Sequence, residues 1–75
     1  MGTTVTHMFV VDGMHCASCG MLIDDTLEDL AGVRSAQTAV RRRILTVRLD
    51  PAVITPDDVV SAVVELGYTA RPASH

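Results

Sequence analysis

Two cysteines, Cys16 and Cys19, stand three residues apart in the run Gly13-Met14-His15-Cys16-Ala17-Ser18-Cys19, and the chain has no others. At that spacing two thiolates can close on one soft metal ion, or on each other. Two soft ligands from a short segment suit Cu(I), which accepts nearly linear coordination, whereas Zn(II) takes four tetrahedral ligands and a hard ion such as Mg(II) takes oxygens. Two cysteines cannot build a closed zinc or iron–sulfur site within one chain. A helix starting near Cys19 would add backbone N–H donors and the positive end of its dipole, which lower thiol pKa and offset the net negative charge of a Cu(I) bis-thiolate. Binding would then release protons and weaken in acid.

The neighbours of the cysteines invite sharper roles. Met14 reads as a hydrophobic anchor that shapes the loop rather than as a thioether ligand. Met8 and Met21 read as packing or surface residues, since four scattered methionines make no methionine-rich copper site. His15 adjoins Cys16, and its ordinary place is in solvent. Two other roles stay open for it, tuning Cys16 or serving as an auxiliary ligand, in a dimer for instance. His7 and His75 read as bystanders, although a terminal histidine binds adventitious metal.

Such a loop must be positioned by very little protein. Seventy-five residues make one small domain, with a structured core expected over residues 4–71 and little room for an enclosed substrate pocket. The composition is 48% hydrophobic with a formal charge of −3, which weighs against disorder and against nucleic-acid binding. Arg41-Arg42-Arg43 is a short basic run, balanced by acids elsewhere, and reads as a solvated turn. The N-terminus shows no basic and apolar leader, and no apolar run approaches a membrane span, so the expectation is a cytoplasmic protein without direct membrane insertion. A reducing compartment keeps paired thiols available for metal.

Periodicity supplies the elements. Val5–Val11 alternates and stops at Asp12-Gly13, as a strand does. From Ser18 to Leu30, Leu22, Ile23, Leu27 and Leu30 recur at helical spacing, with Asp24, Asp25, Glu28 and Asp29 expected on the solvent side. Val33–Val40 and Ile44–Leu49 read as a hairpin around the arginine turn. Thr55-Pro56-Asp57-Asp58 is a helix start, with Val59, Val60, Ala62, Val63 and Leu66 as its buried stripe and Gly67 as its stop. Tyr68–Arg71 is a short last strand. The order β-α-β-β-α-β implies an α+β, ferredoxin-like sandwich: a four-stranded antiparallel sheet with both helices on one face.

With Gly13-Met14-x-Cys16-x-x-Cys19 followed by Ile23, Leu27, Leu30, Gly32-Val33, Asp50-Pro51 and Gly67-Tyr68, the chain resembles the heavy-metal-associated domain of copper chaperones and copper-transporting P-type ATPases. The resemblance covers about Phe9 to Ala70. It implies Cys16 and Cys19 as the metal ligands, Cu(I) as cargo with Ag(I) as a surrogate, and a hydrophobic anchor at Met14. Tyr68 occupies a place where bacterial members commonly carry tyrosine and eukaryotic chaperones lysine, so the chain looks bacterial. A role for Tyr68 in limiting solvent access to the thiolates is expected. Two features depart from the family pattern: arginines fill a turn that often contains glycine, and the first helix is acidic on its exposed face. That acidic face predicts a partner that is basic around its own metal site.

The resemblance implies a metallochaperone that passes copper by thiolate exchange to a copper-transporting P-type ATPase or a copper-responsive regulator, and copper-bridged homodimers are a further expectation. An N-terminal metal-binding domain of such an ATPase is the alternative. Relatives handling Zn(II), Cd(II) or Pb(II) often add a carboxylate beside the cysteines, a place Asp12 could fill, and Hg(II) is also soft and linear. A thiol oxidoreductase is the remote alternative, because the chain lacks the tryptophan and cis-proline usual beside thioredoxin-like motifs. No paired nucleophile and base and no phosphate loop suggests an enzyme.

Overall fold

Alternation along the first strand decides which way the molecule faces. The computed structural model describes residues 3–14 and 17–73. Its elements are β1 (Val5–Asp12), α1 (Ala17–Glu28), β2 (Val33–Ala39), β3 (Ile44–Leu49), α2 (Pro56–Glu65) and β4 (Thr69–Pro72). The strands form one sheet in the order β2-β3-β1-β4, with every neighbouring pair antiparallel. Phe9 and Val11 on β1 point to the same face as Leu45, Val47 and Leu49 on β3, and all five are buried. Ile23 and Leu27 from α1 and Val59 and Val63 from α2 close over that face. Each such side chain contributes roughly 1.5–3 kcal/mol by leaving water. The chain is thus an α+β, ferredoxin-like βαββαβ sandwich.

The first helix differs from its sequence pattern in three ways. It ends at Glu28 rather than Leu30, and the chain tightens through Leu30 N–H donating to the Leu27 carbonyl before Gly32 at φ +93°. Leu22 is 47% exposed, because Ile23 and Leu27, one turn apart, already fill the stripe and Leu22 lies about 100° around the helix from Ile23. Asp24 does not join the solvent face: it accepts a 2.7 Å hydrogen bond from Thr38 Oγ1 on β2. In the second helix, Val60 and Leu66 are half-buried beside the fully buried Val59 and Val63.

α2 is bounded by its own sequence. Thr55 accepts from the Asp58 N–H while the Asp58 carboxylate accepts from the Thr55 N–H, a reciprocal cap that satisfies two otherwise orphaned donors. At the other end Gly67 N–H donates to the Val64 carbonyl and Tyr68 N–H to the Val63 carbonyl, with Gly67 at φ +100°. That double bond pattern turns the chain back toward the sheet. Last strand and turn are offset by one residue from expectation, β4 beginning at Thr69.

Topology gives the sandwich two distinct ends. One holds the end of β1, the turn between β2 and β3 and the start of β4, since Val10 pairs with Ile44 and Asp12 with Thr69. The other holds Gly32, Asp50 and the start of α2, with Asp50 N–H donating to the Gly32 carbonyl at 2.7 Å. No helix among the described residues is long and apolar enough to cross a membrane.

Candidate metal centre

The cysteine loop leaves the sheet at the first of those ends. β1 stops at Asp12, Gly13 turns at φ +99°, and Met14 packs half-buried against the core. His15 and Cys16 lie outside the described residues, as does His75. α1 begins at Ala17, which places Cys19 in its first turn, half-buried. No acidic side chain sits in that turn. The positive dipole end of α1 therefore meets no carboxylate in its own first turn.

Tyr68 reaches the loop through two independent constraints. The Gly67 turn redirects the chain after α2, and the pairing of Asp12 with Thr69 sets Tyr68 beside Gly13. The fit is close: a Cβ on Gly13 would lie 3.4 Å from Tyr68 Cδ1. Tyr68 itself is half-buried against the core. A larger residue at Gly13 would meet both the ring and an unfavourable φ.

Asp12, the carboxylate nearest the loop in sequence, is engaged elsewhere. Its Oδ2 accepts from Arg71 Nη1 at 3.3 Å, and its Oδ1 lies 3.9 Å from Arg43 Nη1. Two guanidiniums thus share one carboxylate on the open face of the sheet. Arg43 is held there by its backbone, whose carbonyl accepts from Val11 N–H at 2.8 Å, and it adopts φ +59°, a left-handed conformation that ordinarily favours glycine. The turn that departs from the family pattern in composition keeps a glycine-like backbone. Val40, the residue before the arginines, packs on α1 where a Cβ at Gly20 would fall 2.8 Å from Val40 Cγ2.

Sequence reasoning missed the grouping of Asp12, Arg43 and Arg71, and with it the position of the arginine turn beside the loop. The signal was present only as strand register. The remaining singled-out residues stand apart from the loop. His7 lies mid-strand opposite Val47, its ring 6.3 Å from that of Phe9, and Met8 and Met21 are exposed. Among the described residues no three His, Cys, Asp or Glu side chains gather as a metal site.

Residues 8–69 match the sequence profile of the heavy-metal-associated domain. The copper-transporting ATPase RAN1 of Arabidopsis thaliana is 37% identical over 65 residues, which cover 87% of this chain and 6% of that protein. A zinc-transporting ATPase of Synechocystis sp. is 39% identical over 70 residues, covering 92% of this chain and 10% of the ATPase. The chain therefore spans about a tenth or less of these relatives. Among solved structures, the N-terminal domain of a potential copper-translocating P-type ATPase from Bacillus subtilis, in its Cu(I)-loaded state, superposes with a TM-score of 0.89 at 30% identity, covering 93% of this chain and 88% of that one.

Proposed function

The chain belongs to the heavy-metal-associated domain family, and from that premise we propose that it carries one Cu(I) ion between Cys16 and Cys19 in the cytoplasm and hands it on as cargo. The observation that supports this most is the position of Cys19 in a helical first turn free of acidic side chains, at the end of the sheet where Tyr68 packs beside Gly13. A two-thiolate site of this kind is open to a third thiolate from a partner. That sulfur bonds to the metal before an original cysteine departs, so the ion is never free in solution.

Zn(II) and Cd(II) would draw on a carboxylate to complete their shells, and Asp12, the one next to Gly13, stands in exposed contacts with Arg43 and Arg71. The zinc-transporting relative keeps Zn(II) as the competing cargo. The natural acceptor of the copper is a copper-transporting P-type ATPase or a copper-responsive regulator. The ATPase relatives also support a second reading, in which this domain is itself the metal-binding segment of such a transporter and receives copper rather than delivering it.

Competition titrations with Cu(I) and Zn(II) under reducing conditions test the proposal. One-to-one Cu(I) binding is expected, abolished in Cys16→Ser/Cys19→Ser, with Zn(II) far weaker; tighter Zn(II) than Cu(I) would overturn it. Because the metal displaces thiol protons, lowering the pH should weaken binding, by up to about tenfold per pH unit for each proton displaced. Gel filtration of the loaded samples reads out copper-bridged dimers.

A further inference from the structure

Both ends of the cysteine loop are fastened to the same short turn. Residues 40–43 join β2 to β3, and the turn is closed by Arg43 N–H donating to the Val40 carbonyl at 3.2 Å. Arg43 holds the strand that enters the loop: its carbonyl accepts from Val11 N–H at 2.8 Å, and its Nη1 lies 3.9 Å from Asp12 Oδ1. Val40 meets the helix that leaves the loop. Gly20, next to Cys19, is buried there, and a Cβ on it would fall 2.8 Å from Val40 Cγ2 and 3.4 Å from Thr38 Cβ. The missing side chain is what lets α1 stand this close to the turn.

A second contact sets the height of the helix. Asp24 follows Gly20 by one helical turn, hence on the same face of α1, and it accepts the 2.7 Å hydrogen bond from Thr38 Oγ1. Four helical residues rise about 6 Å and two strand residues about 6.7 Å, so the pairs Gly20–Val40 and Asp24–Thr38 match along α1 and β2 as these run in opposite directions. The hydrogen bond is directional and fixes α1 along its axis, whereas the Gly20 contact fixes how near it stands. A slip of one residue would move Cys19 about 1.5 Å along the axis and turn it by about 100°.

We propose that the β2–β3 turn sets the span of the cysteine loop, with Val40 and Thr38 as positioning residues that hold the Cys19 end of the loop at a fixed distance from its Asp12 end. The inference rests on the reading of Cys16 and Cys19 as a Cu(I) site. Where two thiolates are the whole donor set, the span between the elements that carry them decides how well the ion is held. Val40 and Thr38 act through the backbone of α1 and not as ligands, in the way that groups behind a metal's ligands orient them.

Moving a methyl group across this seam makes the test. Gly20→Ala overpacks it and Val40→Ala leaves a gap, while Gly20→Ala/Val40→Ala puts one methyl back between helix and turn. Each single variant should hold Cu(I) about tenfold more weakly than wild type against a chromogenic Cu(I) chelator, and the double variant should come within about threefold of wild type. Thr55→Ala weakens the cap of α2 at the far end and should keep wild-type affinity, which separates positioning from stability. Val40→Ala only removes atoms, so it carries the comparison even where Gly20→Ala does not fold. Wild-type affinity in both single variants, a double variant no tighter than the weaker single one, or an equal loss in Thr55→Ala overturns the proposal. The same geometry is read without metal, from the equilibrium in which the two thiols form a disulfide as one glutathione disulfide becomes two glutathiones. Its constant should shift severalfold in Gly20→Ala and in Val40→Ala and return in the double variant; an unchanged constant overturns the proposal too. That pattern in a domain whose wild type binds no Cu(I) sinks the metal assignment and leaves the role of the turn standing.

Discussion

Arg43 shows how one residue can hold a place its chemistry disfavours. A side chain at φ +59° crowds its own backbone by about 1–2 kcal/mol, and the exposed 3.9 Å contact with Asp12 returns little of that in water. Arg43→Gly should therefore stabilise the domain by about 1 kcal/mol, seen as a higher midpoint in urea with an unchanged slope. A midpoint that falls would mean the ion pair outweighs the backbone strain. The spacing of Cys16 and Cys19 is legible in the sequence because it is local. The bond from Arg71 to Asp12 joins residues 59 apart and could not be read without strand register.

At the scale of elements, α2 and α1 differ in how well their sequences describe them. The cap at Thr55, the proline after it and the turn at Gly67 are local devices, each with a side chain or backbone requirement that only a few residues meet, and all three sit where the sequence places them. Thr55→Ala should cost about 1 kcal/mol in a denaturation experiment, and Thr55→Ser much less. Equal loss in both would show that the hydroxyl is not what caps the helix. α1 is a harder case, because apolar Leu22 and acidic Asp24 each exchange the side that composition suggests. Tertiary contact decides this: Ile23 and Leu27 take the core stripe, and Thr38 on β2 offers Asp24 a hydrogen bond. Exposed Leu22 and Met21, at 66% exposure, then lie on the outward side of the helix that carries Cys19.

For the whole molecule, stability rests on a small core with little in reserve. Leu27 is completely buried between helix and sheet, and Leu27→Ala should remove about 2–5 kcal/mol from a domain whose total is of order 5–10 kcal/mol. Thermal unfolding checks this, and a loss below about 1 kcal/mol would mean the core closes over the gap. The sequence by itself determined the spacing of the two cysteines, the order of the six elements, the caps of α2 and the family, because each rests on spacing or on contacts close along the chain. Only the tertiary structure decided that the arginine turn and Arg71 share an end of the molecule with the cysteine loop, that Asp12 is shared between Arg43 and Arg71, and that Tyr68 lies on Gly13. Charge counted along a chain is a sum, whereas the field at a binding loop falls off with distance. Antiparallel pairing brings residues 12, 43 and 71 together.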